Sequence, residues 1–245
     1  MHQPSILHRA WAEIDLSALE NNVRCIQEIL PEHTDFMAVV KADAYGHSVA
    51  LCVPALYEAG ARHFAVSSIE EAEQIYEILD AEDHVAETIL ILGYTPPESD
   101  NVKALAREHI TQAVYSAEYA RALSERMVAL QNAGVLGRTD VVRCHIKLDT
   151  GMGRIGFRSS TPEDCARELL PLFELERLSI EGIYTHFAVA DSPEADDIAY
   201  TQAQEDFIVS VYDKLAELGH PVKHLHFMNS AASVTRPNPR ATLAR

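Results

Sequence analysis

Lys41 closes a short apolar run, Met37-Ala38-Val39-Val40, and is followed at once by Ala42-Asp43-Ala44-Tyr45-Gly46-His47. An amine held at the end of a buried strand can lose part of its charge by desolvation and attack a carbonyl to form a Schiff base. Taken alone, the lysine reads first as a strand-terminal side chain that extends its stem to reach water, because charged residues commonly flank strands. What gives it weight is that three further stretches carry reactive types at the ends of apolar runs. The stretch His145-Ile146-Lys147-Leu148-Asp149-Thr150-Gly151-Met152-Gly153-Arg154-Ile155-Gly156 sets charges of both signs beside three glycines, which permit close backbone approach and positive φ. It lacks the Gly-Lys-Ser/Thr ending of a nucleotide-phosphate loop, so triphosphate binding fits poorly. Gly182-Ile183-Tyr184-Thr185-His186-Phe187 closes an apolar run on a histidine. Such a histidine, like His145, His224 and His226, reads first as a hydrogen-bonded core residue. No partners stand at ligand spacing, so no metal is expected. In His226-Phe227-Met228-Asn229-Ser230-Ala231-Ala232-Ser233 a strand runs into a serine-opened helix. Free N–H groups there face the loop and suit a phosphate, although an ordinary serine cap has the same pattern.

These residues need elements to position them. Ser17-Ala18-Leu19-Glu20 reads as a capping box, with Leu19, Val23, Ile26 and Leu30 at helical spacing behind it. The period then changes. Strands are predicted over Phe36–Val40, His63–Ser67, Thr88–Leu92, Ile110–Val114, Val141–Leu148, Leu178–Tyr184 and Val222–Phe227. Helices are predicted between them: Ser48–Ala59 stopped by Gly60, a second capping box at Ser68-Ile69-Glu70-Glu71 opening a helix to Leu79, Pro97–Arg107, and Ala117–Asn132. Further helices start at Thr161-Pro162 and span Asp197–Leu218, and Ser230 opens a short turn. Seven strands alternating with helices, without a hairpin signal, point to parallel βαβ units with right-handed crossovers. With no dinucleotide fingerprint, the expected fold is an α/β parallel (β/α)8 barrel of the TIM type, in one domain over residues 1–245, with residues 1–16 leading into it. Active residues of such barrels sit where strands end, which is where all four stretches fall. The eighth strand could only be starting at Thr242-Leu243-Ala244-Arg245, so most of it, and any C-terminal β domain, is expected to be missing. An unclosed barrel would expose two strand edges, and a longer protein is the expected context.

Composition narrows the partners. The 245 residues are 47% hydrophobic, enough for a sizeable core, and 20 basic against 37 acidic residues leave a net charge of −17. That envelope disfavours nucleic acid and anionic membranes, while a locally basic pocket could still take a small anion. Cys25, Cys52, Cys144 and Cys165 include no Cys-x-x-Cys pair, fall in apolar-periodic segments and are expected to be buried free thiols. No apolar stretch has membrane-spanning length, and Met1-His2-Gln3-Pro4 opens no leader pattern, so a cytoplasmic protein is expected.

An amine at Lys41, a phosphate site at Ser230 and cations at Arg154 and Arg245, gathered around one mouth, would equip the chain for a phosphorylated aldehyde held as an imine, which is pyridoxal 5′-phosphate. The motifs A-V-V-K-A-D-A-Y-G-H, K-L-D-T-G-M-G-R-I-G, Y-T-H-F and N-S-A-A-S, in this order, with the opening Trp11-Ala12-Glu13-Ile14-Asp15-Leu16, resemble the bacterial alanine racemase family over Arg9–Arg245. The resemblance implies a pyridoxal-phosphate barrel followed by a β-rich domain, assembled as a head-to-tail homodimer that interconverts L- and D-alanine for peptidoglycan precursors. It implies Lys41 as cofactor anchor and one of two racemising bases, Tyr45 and Ser230 as phosphate contacts, His186 beside the cofactor ring and Asn229 as its neighbour. Arg154 would lie near the substrate carboxylate and the cofactor's phenolic oxygen, and Lys147 matches a lysine that some members carry as a carbamate, which would neutralise it and let it hold Arg154. Arg245, 16 positions after Asn229, would face the pyridine nitrogen. A guanidinium there keeps its proton, leaves the ring nitrogen unprotonated and disfavours decarboxylation and transamination. The second base would be a tyrosine of the partner's C-terminal domain, and a glycine and an isoleucine following Arg245 would complete the phosphate cup. Ser48 stands where many members have glycine. Racemisation of another amino acid such as serine, a non-catalytic cofactor-binding barrel and a fragment without a stable cofactor-bound state remain open on these residues.

Overall fold

The computed structural model describes residues 11–108 and 110–245. Residues 1–10, which include most of the lead-in segment and the Met1–Pro4 stretch read for a leader, lie outside the described residues. The strands are β1 (Asp35–Val39), β2 (His63–Val66), β3 (Thr88–Ile91), β4 (Thr111–Val114), β5 (Val142–Lys147), β6 (Leu178–Tyr184), β7 (His224–His226) and β8 (Leu243–Ala244). Among the described residues they pair in parallel in the order β7-β6-β5-β4-β3-β2-β1-β8. The helices are α1 (Leu16–Ile29), a one-turn element α2 (Lys41–Gly46), α3 (Val49–Glu58), α4 (Ile69–Asp80), α5 (Ser99–Arg107), α6 (Ala117–Asn132), α7 (Pro162–Phe173), α8 (Ala195–Glu217) and α9 (Ser230–Thr235). The alternation predicted from periodicity is therefore the alternation observed, displaced by a residue or two at some ends.

The eighth strand is short, as expected: β8 has two residues, within the stretch where it was predicted to start. Leu243 and Ala244 register against Asp35 and Phe36 of β1. On the other side the Thr242 N–H donates to the Leu225 carbonyl at 2.8 Å and the Arg245 N–H to the Met228 carbonyl at 3.0 Å. A strand of two residues thus reaches both neighbours and nearly closes the barrel. Two short contacts suffice because the neighbouring edges are already brought together by the tilt of the other strands.

Alternation along each strand sorts side chains between two cores. Outward residues such as Phe64, Ile91, Ile146 and Leu225 pack under the helices. Inward residues Met37, Ala65, Leu90, Ala113, Tyr184 and Leu243 form a small apolar layer inside the barrel. Beneath it lies a polar layer, His63, His145, His224 and His226, all buried. The His145 and His226 rings share a hydrogen bond, Nδ1 to Nε2, at 2.9 Å. Gly182 is fixed by this layer: a Cβ there would lie 2.8 Å from the His145 ring. The same inward parity carries Lys147 and Arg245 to the C-terminal mouth.

Local signals were partly misread. α1 begins before Ser17, capped by Asp15, whose carboxylate accepts the Ala18 N–H at 2.9 Å. Ser68 does cap α4, but Glu71 does not return to the cap residue's N–H as a capping box requires; it binds elsewhere, as described below. α9 is capped by Asn229 rather than Ser230, its side-chain oxygen accepting the Ala232 N–H at 3.0 Å. Three cysteines are buried and free as expected, whereas Cys25 is exposed, on the outer side of α1. Among the described residues no helix is long and apolar enough to cross a membrane.

Candidate active site

Lys41, Tyr45, Lys147, Arg154, His186, Asn229, Ser230 and Arg245 come from five separate segments, and all of them line one cavity of about 450 Å³ at the C-terminal ends of the strands. Four of the eight are lysines or arginines, and among the described residues no carboxylate lines the cavity. In a chain of net charge −17 that is a local reversal of sign. A larger cleft of about 590 Å³ lies between α1, β1 and α3, but it is lined by Glu13 and Asp15 and by no lysine or arginine. The smaller cavity is the one whose chemistry suits an anion.

Lys41 is half-buried and opens an unusual turn. Ala42, Asp43, Ala44 and Tyr45 all take left-handed helical angles, with φ of 51°, 54°, 53° and 55°. Ordinary L-residues pay roughly 1–2 kcal/mol each for this conformation, so the turn needs external support. It is latched at one end by the Asp43 carboxylate, which accepts the Val49 N–H at 2.7 Å and so caps α3 in place of the Ser48 side chain. At the other end the Ala42 N–H donates to the Glu71 carboxylate at 2.7 Å. The turn sets the Lys41 ammonium 5.8 Å from the centroid of the exposed Tyr45 ring.

The glycine-bearing stretch after β5 folds back on that strand. The Asp149 N–H donates to the Phe157 carbonyl and the Phe157 N–H to the Lys147 carbonyl, each at 2.9 Å. Gly156 permits this: at φ +128° its missing Cβ would sit 2.6 Å from the Asp149 nitrogen. Tyr200 of α8 donates to the Gly151 carbonyl at 2.7 Å, holding the loop from outside. Arg154 is carried at its exposed tip.

Lys147 is 3% exposed and donates to the Leu148 carbonyl. Burial first, then Arg245 and Arg154, drive its amine down to about 7, with Asp149 opposing. Arg245 is lowered by burial and by Arg154 to about 10, so it remains charged at neutral pH. It donates to the Thr185 carbonyl, while its Nε is buried without a protein partner. His186 is brought down to about 4 by burial and then by Arg245, Arg154, Lys147 and Lys41, so the ring is neutral at neutral pH. The cavity floor is a residue that sequence reasoning placed in a motif without a role. The buried Tyr184 ring stacks on His226 with centroids 4.7 Å apart and lies 5.1 Å from the Arg245 guanidinium. Its signal was the inward parity of β6, two residues before His186. Glu71 and Tyr200 carry no sequence signal as site residues, because the contacts that tie them to the site reach backbone 29 and 49 positions away, at Ala42 and Gly151. Among the described residues no group of three His, Cys, Asp or Glu side chains is arranged to hold a metal.

Comparison with known proteins shows the family and the fold. The family model described as alanine racemase, N-terminal domain, matches residues 14–245. Alanine racemase 1 of Oceanobacillus iheyensis is 36% identical over 236 residues, covering 96% of this chain and 57% of that protein. The alanine racemase of Methanococcus maripaludis is 37% identical over 241 residues, covering 98% of this chain and 59% of that protein. Among solved structures, an alanine racemase of Clostridium difficile in complex with cycloserine has a TM-score of 0.83 at 32% identity, covering 98% of this chain and 61% of that one. A histidine racemase from Leuconostoc mesenteroides shares the fold, with a TM-score of 0.73 at 24% identity, over 94% of this chain and 56% of that one. The chain thus spans well under two thirds of the length of these relatives.

Proposed function

The chain belongs to the alanine racemase N-terminal domain family, and from that premise we propose that it is the barrel part of a pyridoxal-phosphate-dependent amino-acid racemase, with alanine as first substrate. The observation that carries this reading is the cavity in which eight residues from five segments meet, four of them lysines or arginines and, among the described residues, none of the lining ones a carboxylate. The donor set fits the cofactor: a lysine for its aldehyde, hydroxyl groups at Tyr45 and Ser230 for its phosphate, and the unpartnered Arg245 Nε for an acceptor on its ring. When bound, pyridoxal phosphate supplies a conjugated ring that spreads the electron pair left on a substrate carbon after its proton departs.

The residues divide the work by charge and position. Lys41 holds the cofactor and moves a proton on one face of the substrate carbon. Arg154 draws the substrate carboxylate, and Lys147, mostly neutral in its buried setting once pH exceeds about 7, can combine with carbon dioxide as a carbamate that bonds Arg154. His186 offers a neutral ring face that adds no further charge beside Lys41, Arg154 and Arg245. Arg245, still protonated, can only donate, so the ring atom facing it stays an acceptor. The base for the second face is assigned to the partner subunit of a homodimer, and Tyr45 and Ser230 to the phosphate.

Titrating the purified chain with pyridoxal phosphate and following the visible absorbance of a lysine-linked cofactor tests the reading. Wild type is expected to develop the band and Lys41→Ala to lack it; a band that survives Lys41→Ala refutes the anchor. The 245-residue chain is expected to bind cofactor but to turn over alanine poorly, and rapid racemisation by the chain alone would refute the division of bases. The histidine racemase that shares the fold gives reason to assay other amino acids beside alanine.

A further inference from the structure

Glu71 stands in the first turn of α4, and in sequence it looks like the acid of a capping box. Its carboxylate instead ties two strand ends together. One oxygen accepts the Ala42 N–H at 2.7 Å. The other accepts the Ser67 N–H, also at 2.7 Å, just past the end of β2. Ala42 is the residue after Lys41 and the first of four consecutive left-handed residues. None of the four is glycine, so each would relax to the right-handed or extended basin if released. Such a relaxation turns the Ala42 peptide away and changes where the Lys41 side chain leaves the backbone. Glu71 does not line the cavity, so it can act on ligands only through the turn.

We propose that Glu71 is a positioning residue for Lys41: its carboxylate, anchored on the Ser67 N–H, holds the Ala42 N–H and keeps the left-handed turn wound so that Lys41 and Tyr45 face the cavity together. This rests on the reading of Lys41 as the cofactor anchor. The chemistry requires a carboxylate. Both partners are N–H donors, and a glutamine would meet one of them with its own NH₂ group. Bonds from backbone N–H groups to a carboxylate are charge-assisted and stronger than neutral ones. Asp43 secures the far end of the same turn, so losing Glu71 frees the lysine end first.

The test compares wild type, Glu71→Gln, Glu71→Ala and, as a control for a first-turn carboxylate that does not touch the turn, Glu70→Gln. Amide hydrogen exchange is measured over residues 42–45 in the ligand-free chain. The rate of incorporation of pyridoxal phosphate at Lys41 is measured by borohydride trapping and peptide analysis. Glu71→Gln is expected to speed exchange in that segment about tenfold and to slow incorporation by a similar factor, with Glu71→Ala larger in both and Glu70→Gln at wild-type values. Glu71→Gln covers the case in which Glu71→Ala fails to fold. Exchange that rises along all of α4 but not at 42–45 would reduce Glu71 to a helix cap and overturn the proposal. So would wild-type incorporation in both Glu71 variants. A wild-type chain that takes up no cofactor at Lys41 overturns the cofactor reading and the role built on it; normal uptake with unaltered variants overturns the role of Glu71 alone.

Discussion

Replacing His224 by glutamine should remove one proton's worth of acid sensitivity from the barrel. His224 is 4% exposed and lies edge-on to His63 and tilted against His145 inside the barrel. Burial, then Lys223 and His63, hold its imidazole down to about 3, against an ordinary value near 6.5. The sign follows from the two states. Above pH 6.5 the ring is neutral in both, and stability does not depend on it. Below pH 6.5 the unfolded chain takes up a proton that the folded ring refuses, so stability falls until pH reaches the folded value. At pH 4.5 the loss is set by the interval below 6.5, about 2 pH units at about 1.4 kcal/mol each, or about 3 kcal/mol, provided only that the folded ring is still neutral. Acidification also relieves repulsion among the carboxylates of a chain with net charge −17, but that gain is common to both proteins and cancels in the difference. Urea unfolding followed by circular dichroism at pH 7.5 and 4.5 measures the quantity directly. Wild type should lose about 3 kcal/mol more than His224→Gln between these pH values. Parallel losses would mean that the ring protonates within the fold, and the neutral histidine layer would be wrong.

Other consequences can be checked on the same material. Gly182→Ala drives a Cβ to within 2.8 Å of the His145 ring and should cost roughly 1–3 kcal/mol by urea unfolding; an unchanged midpoint would show that the histidine layer yields easily. Tyr184→Ala removes a ring that is 2% exposed and should cost about 3–5 kcal/mol, while Tyr184→Phe, which keeps the ring packing, should cost less than about 1 kcal/mol on the same assay. Because only the neutral amine reacts with carbon dioxide, carbamate formation at Lys147 should rise as pH passes upward through about 7. Trapping labelled bicarbonate by alkylation would show a signal lost in Lys147→Met; a signal that survives, or none in wild type, rejects the assignment.

Much of this protein was legible from its chain. Period changes gave the strand and helix order, because the alternation of buried side chains in a strand and the 3.6-residue stripe of a helix are local consequences of backbone geometry. The four motifs gave seven of the residues that line the cavity, since each motif sits where a predicted strand ends, and Arg245 followed from its distance after Asn229. Inward parity was also present in the sequence: Lys147 is two residues beyond His145, and Arg245 two beyond Leu243. What could not be read was decided between distant segments. The carboxylate of Glu71 could serve its own helix cap or the Ala42 N–H 29 positions away, and only the packing of α4 beside α2 chooses. The left-handed winding of 42–45 is opposed by every local preference of those residues and persists through contacts at its two ends. Strand β8 was placed in the sequence only by the count of a barrel, and its two residues are held as a strand because β1 and the segment after β7 offer partners on either side. The depressed basicity of Lys147 and His186 likewise belongs to no residue alone; it follows from burial beside other cations, a proximity that only the barrel's closure creates.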